Sequence, residues 1–360
     1  MNTTTRARHV LELAAILALV ALAALLLATS RPANAAMPTG ATSQLADCAD
    51  GAFSTEQRFV THGPLPTDGN PVISDGDLLS FHGNVCLRNR ELLAAFNVPG
   101  IPTLPDLGLD ASDILDLERP VVAFSTEIDD PFGRFTEGDL LTTTGVVIPN
   151  AALMAAFGVS YDVGLDEVKF IGRTKDIVAF LDLARQIPRD EWLANPGRLR
   201  AELDRYNIDL WFSIEETVQR QEGRPLLDGD ILSARTGTII ASQDTLLNPP
   251  IPAGLPTRGV DFGLDAFAAR CDGARDSIRF STEIVYRDTP ALAFSDGDLL
   301  KLGGAVINRN NDFIAAFKPG VKDLGLDAIA YPADHAPCSE RPFLSFLPLI
   351  LKNLRLGGRQ

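Results

Sequence analysis

Three short motifs recur in the same order four times along this chain, and the repetition limits its fold more than any other feature. The first motif is Phe-Ser-Thr-Glu, with one variant, Phe-Ser-Ile-Glu. The second is an acidic residue followed by Gly-Asp and two aliphatic residues, and the third contains Gly-Leu-Asp. Such an array folds as copies of one small unit that pack against each other. The first motif begins at Phe53, Phe124, Phe212 and Phe280, the second at Asp75, Glu137, Asp228 and Asp296, and the third ends at Asp110, Asp166, Asp265 and Asp327.

Each motif is typical of a short strand or a tight turn. The segment 121–128 is rich in β-branched and aromatic residues, which favour strands. An Asp-Gly step before an apolar pair predicts a turn into the next strand, because glycine accepts a positive φ. Ala-rich segments such as 92–96 predict one or two helical turns. We therefore predict an all-β fold of four small sheets, preferably a four-bladed β-propeller, with two β domains as the alternative.

The repeats divide the chain into consecutive segments. Between the second and third repeats the pattern changes to helical periodicity, with Ile177, Phe180 and Leu181 on one helix face and Leu199 and Leu203 on another. The predicted order is a signal peptide (1–35), an N-terminal linker (36–49), repeat 1 (50–120), repeat 2 (121–173), a helical insertion (174–207), repeat 3 (208–270), repeat 4 (271–335) and a C-terminal tail (336–360).

The first segment predicts export. Arg6 and Arg8 precede the apolar run Leu13–Ala28, and Ala33-Asn34-Ala35 has the small-x-small pattern of a cleavage site. A helix over this run would span about 24 Å, less than a bilayer core of about 30 Å. We expect a secreted or cell-surface protein with no membrane span in the mature chain. The alternative is an uncleaved signal anchor.

The cysteines agree with export. An even number of cysteines in an oxidising compartment predicts two disulfide bonds. The preferred pairing joins Cys48 to Cys338, which would fasten the two ends of the array, and leaves Cys86 with Cys271. The sequence allows three connectivities and does not choose among them.

Charge and the repeated acids limit the chemistry. The net charge of −15 argues against nucleic-acid binding, which needs a basic surface. The repeated serines match the repeated fold, and no histidine accompanies them at a fixed spacing, so we do not expect catalysis by serine. Carboxylates are the one candidate site: their oxygens suit Ca²⁺, the only candidate cofactor, although the same residues could cap turns. The calcium candidates are Asp75, Asp77, Asp228, Asp230, Asp296 and Asp298.

The three repeated motifs resemble those of uncharacterised secreted bacterial repeat proteins. The tail Phe346-Leu347-Pro348-Leu349-Ile350-Leu351-Lys352 is similar to the Tyr-Leu-Pro-Leu-Val-Leu-Lys ending of exported proteins from Chloroflexi-like bacteria, with Phe346 in place of the tyrosine. This resemblance implies location and architecture, and no reaction. We expect a non-catalytic scaffold that binds a glycan, a protein or an envelope component. The alternative is a secreted carboxylate-dependent hydrolase, such as a glycosidase.

Overall fold

The computed structural model describes residues 45–96, 106–220, 223–256, 258–288 and 292–339. The predicted signal peptide and residues 340–360 of the predicted tail lie outside these ranges. The described chain is all-β with few helices: it holds four antiparallel sheets of four strands each and one sheet of two strands, Phe59–Val60 and Val72–Ile73.

The four larger sheets share one plan. The strand that follows Gly-Leu-Asp, which we call the leading strand, lies at one edge; next come the Phe-Ser-Thr-Glu strand, the strand after Gly-Asp, and an outer strand. In that order, sheet I has Ile329–Ala330, Ala52–Phe53, Leu78–Ser80 and Val85–Leu87, and sheet II has Ser112–Asp116, Val121–Phe124, Leu140–Thr142 and Val147–Ile148. Sheet III has Val168–Ile171, Asp209–Phe212, Ile231–Ser233 and Thr238–Ala241, and sheet IV has Phe267–Ala268, Arg279–Phe280, Leu299–Lys301 and Ala305–Asn308.

Sheet I joins the two ends of the array. Its leading strand, Ile329–Ala330, pairs antiparallel with Ala52–Phe53, so that Ile329 lies opposite Phe53. In the other three sheets, the leading strand comes from the sequence just before the Phe-Ser-Thr-Glu motif of that sheet. Each sheet therefore combines the third motif of one sequence repeat with the first two motifs of the next.

The four leading strands are neighbours in space. The leading strand of sheet II contacts those of sheets I and III, and the leading strand of sheet IV contacts the same two. Apolar side chains from successive sheets share their clusters: Phe170 of sheet III packs with residues of sheet II, Phe267 of sheet IV with residues of sheet III, and Phe53 of sheet I with residues of sheet IV. Each sheet thus buries its apolar surface against its neighbours.

Short helices connect the strands. The turns Asn89–Leu92, Asn150–Met154 and Asn310–Ile314 each run into a 3₁₀ turn that ends at a phenylalanine, as the Ala-rich pattern predicts. The segment 174–207 holds three helices, and Ile177, Phe180, Leu181, Leu199 and Leu203 are buried there. Its helices are Thr174–Ala184, Arg189–Ala194 and Gly197–Tyr206; the other helical turns are Ala46–Cys48, Gln243–Leu246, Arg275–Ser277, Pro332–His335 and Ala336–Ser339.

The structure confirms two disulfide bonds but not the preferred pairing. Cys48 is bonded to Cys86, and Cys271 to Cys338. The preferred Cys48–Cys338 link is wrong because each of these cysteines lies beside a nearer partner: Cys86 is in the outer strand of sheet I, and Cys271 follows the leading strand of sheet IV. Strand pairing, rather than a disulfide, joins the two ends of the array. Two disulfides fit an extracellular protein.

The described ranges contain no helix with the length and apolar character needed to cross a membrane.

Candidate functional site

A cavity of about 260 Å³ is lined entirely by carboxylate side chains. Its aspartates end the Gly-Leu-Asp motifs, and its glutamates end the Phe-Ser-Thr-Glu motifs. Glu56, which ends the first Phe-Ser-Thr-Glu motif, lies near two of these aspartates, Asp265 and Asp327. We call these eight residues the carboxylate cavity: Asp110, Asp166, Asp265, Asp327, Glu56, Glu127, Glu215 and Glu283.

The aspartates and glutamates meet in pairs that join successive sheets. Asp110, before the leading strand of sheet II, shares a hydrogen bond with Glu215 of sheet III. Asp327 of sheet I shares one with Glu127 of sheet II. The other two pairs have the same relation between sheets, since Asp166 lies near Glu283 and Asp265 lies near Glu56. The cavity is therefore common to all four sheets.

Further acids continue outward from each pair. Two more carboxylates lie near each glutamate of the cavity: one begins the second motif, and the other comes two residues before the glycine of Gly-Leu-Asp. We call each row of four acids a spoke. The spokes are Asp327, Glu127, Asp106 and Asp75; Asp110, Glu215, Asp162 and Glu137; Asp166, Glu283, Asp261 and Asp228; and Asp265, Glu56, Asp323 and Asp296.

Burial and mutual repulsion raise the pKa values of these groups. Burial, with repulsion from neighbouring acids, raises the pKa of Glu56, of Glu127 and of Glu215 to about 7. Burial raises the pKa values of the four cavity aspartates well above their usual range, and the acids around them raise them further. In the third spoke, burial and a hydrogen bond to Asp261 raise the pKa of Asp228 to about 9. Both causes disfavour the charged form.

The protein supplies no positive charge to the cavity from the part of the chain that the structure describes. None of the eight side chains forms a salt bridge with lysine, arginine or histidine there, and the charged groups that shift their pKa values are all acids. The chain has 47 acidic residues against 32 lysines and arginines. If the sixteen spoke residues are left out of the count, the chain has 31 acidic and 32 basic residues. The net negative charge of the protein is thus concentrated in the spokes.

The glycine of Gly-Leu-Asp makes room for the glutamate of its own sheet. Gly108 has a φ of +73°, and a Cβ there would come within 2.4 Å of the Glu127 carboxyl carbon. An asparagine side chain fixes three of the Gly-Leu-Asp loops. In the loop before sheet III, Asn150 Nδ2 donates to the carbonyl of Gly164 at 2.7 Å, and its Oδ1 accepts from the Val163 N–H. Asn89 and Asn310 make the same two bonds with their own loops.

The repeated serines connect neighbouring sheets. Ser125 Oγ donates to the carbonyl oxygen of Leu165 at 2.9 Å, and Ser54 and Ser281 donate in the same way to Leu109 and to Leu326. Each acceptor belongs to the Gly-Leu-Asp motif that precedes the next sheet. The exception is Ser213, whose buried hydroxyl has no hydrogen-bond partner. The serines therefore hold the loops that carry the cavity aspartates.

The predicted calcium ligands are divided between two environments. Asp75, Asp228 and Asp296 lie at the outer ends of three spokes. Asp77, Asp230 and Asp298 face away from the spokes, and each pairs with an arginine. Asp77, for example, accepts from the Ser74 and Asn89 N–H groups and lies 2.6 Å from Arg88. The second aspartate of each motif thus caps its turn, and the first joins a spoke.

A second buried cluster of charges lies on the leading strands. Lys169 Nζ is 2.7 Å from Asp113 Oδ1, and His335 Nε2 is 2.8 Å from the same oxygen. Burial alone would raise the pKa of Asp113, but His335 and Lys169 lower it to about 2. We call these three residues the paired network.

Glu167 connects three leading strands beside this network. Its carboxylate accepts from the N–H groups of Ser112, Val168 and Ile329 at 2.7 to 2.9 Å, and the side chain is fully buried. The sequence carries a signal for this role, since the residue after Gly-Leu-Asp is alanine in the other three repeats. The sequence alone predicts no function for Glu167, because a single deviation does not reveal which strands it meets.

Within the described ranges, no three His, Cys, Asp or Glu side chains converge into a group that could hold a metal ion. Comparison of the chain with protein-family models, with curated proteins and with solved structures found no match.

Proposed function

We propose that this protein is an exported, non-catalytic four-bladed propeller whose carboxylate cavity binds a cationic ligand. The cyclic contacts among the four leading strands support the propeller over two separate β domains. The pairing of Ile329–Ala330 with Ala52–Phe53 supports a ring in which the last repeat completes the first sheet. Closure by a shared sheet is one way in which propellers protect their edges.

One observation carries the binding proposal: sixteen carboxylates converge in four spokes, and within the described ranges none of them forms a salt bridge with lysine, arginine or histidine, although Arg189 lies near Asp162 at the outer part of one spoke. Like charges this close repel each other, and burial adds a further cost. A bound cation would offset both effects, because it supplies the opposite charge that the described chain does not place there. A cavity lined by one sign of charge also attracts ions of the other sign from solution.

The repetition argues against a hydrolase. A glycosidase uses one acid and one nucleophile or base with different pKa values. Here every sheet contributes the same aspartate and the same glutamate, and three of the glutamates share a pKa of about 7. This symmetry provides four equivalent Asp–Glu pairs, rather than one pair in which the two carboxylates have different catalytic roles.

A thermal-shift panel on the exported chain tests this function. The probes are Mg²⁺, Ca²⁺, spermidine, a lysine-rich peptide and a chitosan oligomer, with a heparin fragment as the anionic control, all at one ionic strength. We expect at least one cation to raise the melting temperature, because a ligand that binds only the native state stabilises it. A variant with Glu56, Glu127, Glu215 and Glu283 all changed to Gln should lose that response.

Two results would overturn the proposal. One is a panel in which no cation raises the melting temperature, or in which the four-Gln variant responds as the parent does. The other is turnover of a chromogenic glycoside that a Gln substitution at one of the four glutamates abolishes while the other three single substitutions leave it intact. That second result would instead support the hydrolase.

A further inference from the structure

The inner end of the third spoke contains an oxygen with no partner. Asp166 is 8% exposed and lines the carboxylate cavity, and its Oδ2 accepts no hydrogen bond. Buried polar atoms are nearly always hydrogen-bonded, and leaving one unpaired destabilises the fold. An unpartnered oxygen at the wall of a cavity can accept a hydrogen bond from a water molecule or a ligand inside that cavity.

The same orphan occurs at two further positions. Oδ2 of Asp265 and Oδ2 of Asp327 also accept no hydrogen bond, and both residues line the cavity. Asp110 shares a hydrogen bond with Glu215, as Asp327 does with Glu127, but among the described residues Asp110 has no buried oxygen without a partner. Three equivalent oxygens from three different sheets thus lack donors around one space.

The size of the cavity limits what could fill it. A cavity of about 260 Å³ has room for several water molecules. A bare divalent ion, whose ligands lie at about 2.0–2.6 Å, would occupy only a small part of this space. An ion that retains its water shell would fill the space, and its bound waters would supply the missing O–H donors. Mg²⁺ is the common biological ion that keeps several of its waters when bound.

We infer that the carboxylate cavity holds one divalent cation together with its water shell, with Asp166, Asp265 and Asp327 accepting hydrogen bonds from that shell. This inference rests on the proposed function and names the ligand class of the same site. The shell would also reach the neighbouring glutamates, so that one ion would interact with all four sheets. The ion would then stabilise the assembly of the sheets as well as the loops that carry the aspartates.

Isothermal titration of the exported chain, after removal of metal with EDTA, tests the inference. The probes are Mg²⁺ and cobalt(III) hexaammine, whose inert ligands imitate a hydrated ion that cannot shed its shell. We expect hexaammine to bind with a stoichiometry of one and to compete with Mg²⁺. Asp166→Asn should weaken both by about tenfold, as the loss of an outer-shell partner does at other metal sites.

Matched variants keep the test decisive. Glu118→Gln removes the same charge from an exposed position outside the spokes and should leave the affinity within about twofold of the parent. Asp265→Asn is a second cavity variant, in case Asp166→Asn fails to fold.

The possible failures differ from one another. Binding of spermidine or of the lysine-rich peptide, with no binding of Mg²⁺ or hexaammine, would overturn this inference and leave the proposed function standing. Binding of Ca²⁺ without hexaammine would show direct ligation and contradict the retained water shell. If no cation binds at all, the inference and the proposed function both fail.

Discussion

The carboxylate cavity and the paired network both hold buried charges beside the leading strands, but they differ in how those charges are balanced. Asp166 and Lys169 are only three residues apart. Lys169 meets Asp113 and His335, and the pKa of Asp113 falls to about 2. Asp166 meets other acids, and its pKa rises well above the usual range. Burial alone therefore says little about the role of a charge. The charges of the network are balanced within the protein, whereas we propose that the cavity takes its positive partner from solution.

The largest effect should come from breaking the paired network. Lys169→Met leaves the Asp113 carboxylate buried with His335 and the Phe170 N–H as its remaining partners. Removing one partner of a buried ion pair costs about 3–5 kcal/mol, so we expect a loss of that size in the free energy of unfolding, measured by denaturant titration. The double variant Asp113→Asn/Lys169→Met should recover part of it. A cost below about 1 kcal/mol for Lys169→Met would contradict the importance of the pair.

The next effect should come from Glu167. Glu167→Ala leaves the N–H groups of Ser112, Val168 and Ile329 without their acceptor, and we expect a loss of about 2–3 kcal/mol in the same titration. Glu167→Gln keeps the volume and one acceptor oxygen, so it should cost less. Equal stability of the Ala variant and the parent would show that Glu167 does not connect the strands.

Part of this contrast could be predicted from the sequence. The motifs predict the strands, the turns and the recurrence of the acids, because a period of a few residues is a local property. They do not predict that the aspartate of one sheet meets the glutamate of the next, since that contact depends on how the sheets pack. The presence of Glu167 where the other repeats have alanine is visible in the sequence, but two of the three N–H groups that donate to it, those of Ser112 and Ile329, come from distant segments. The cysteine pairing failed for the same reason: Cys86 and Cys338 are placed by the packing around them.

The cavity should respond to pH in the opposite sense from an ion-paired carboxylate. Glu56, Glu127 and Glu215 have pKa values raised from 4.5 to about 7, so the folded state favours their protonated forms. Their stabilising effect is present below about pH 4.5 and is lost as the pH rises to about 7. Asp113, with its pKa lowered to about 2, stabilises the folded state above about pH 4 and loses that effect only as the pH falls towards 2, so its pH dependence lies outside this window.

In EDTA, the melting temperature of the protein should therefore fall between pH 5 and pH 7.5. The four-Gln variant at Glu56, Glu127, Glu215 and Glu283 should show a flatter profile. A melting temperature that rises across this window would mean that the carboxylates are already compensated within the protein.

A smaller effect separates two equivalent serines. Ser125→Ala removes the 2.9 Å hydrogen bond to the Leu165 carbonyl and should cost about 1 kcal/mol of unfolding free energy. Ser213→Ala is the matched control: its hydroxyl is buried without a partner, so its removal should cost nothing or stabilise the protein. Equal costs at the two positions would mean that the bond between sheets II and III contributes no net stability.

The most direct test of uncompensated charge is the unfolding free energy of Asp166→Asn, measured in EDTA at pH 7.5. The substitution keeps the size of the side chain and removes one buried negative charge that has no basic neighbour in the described chain. We predict a variant at least as stable as the parent, in contrast to Lys169→Met three residues away. A loss comparable to that of Lys169→Met would contradict the account, because it would show that the Asp166 carboxylate already has a stabilising partner within the protein.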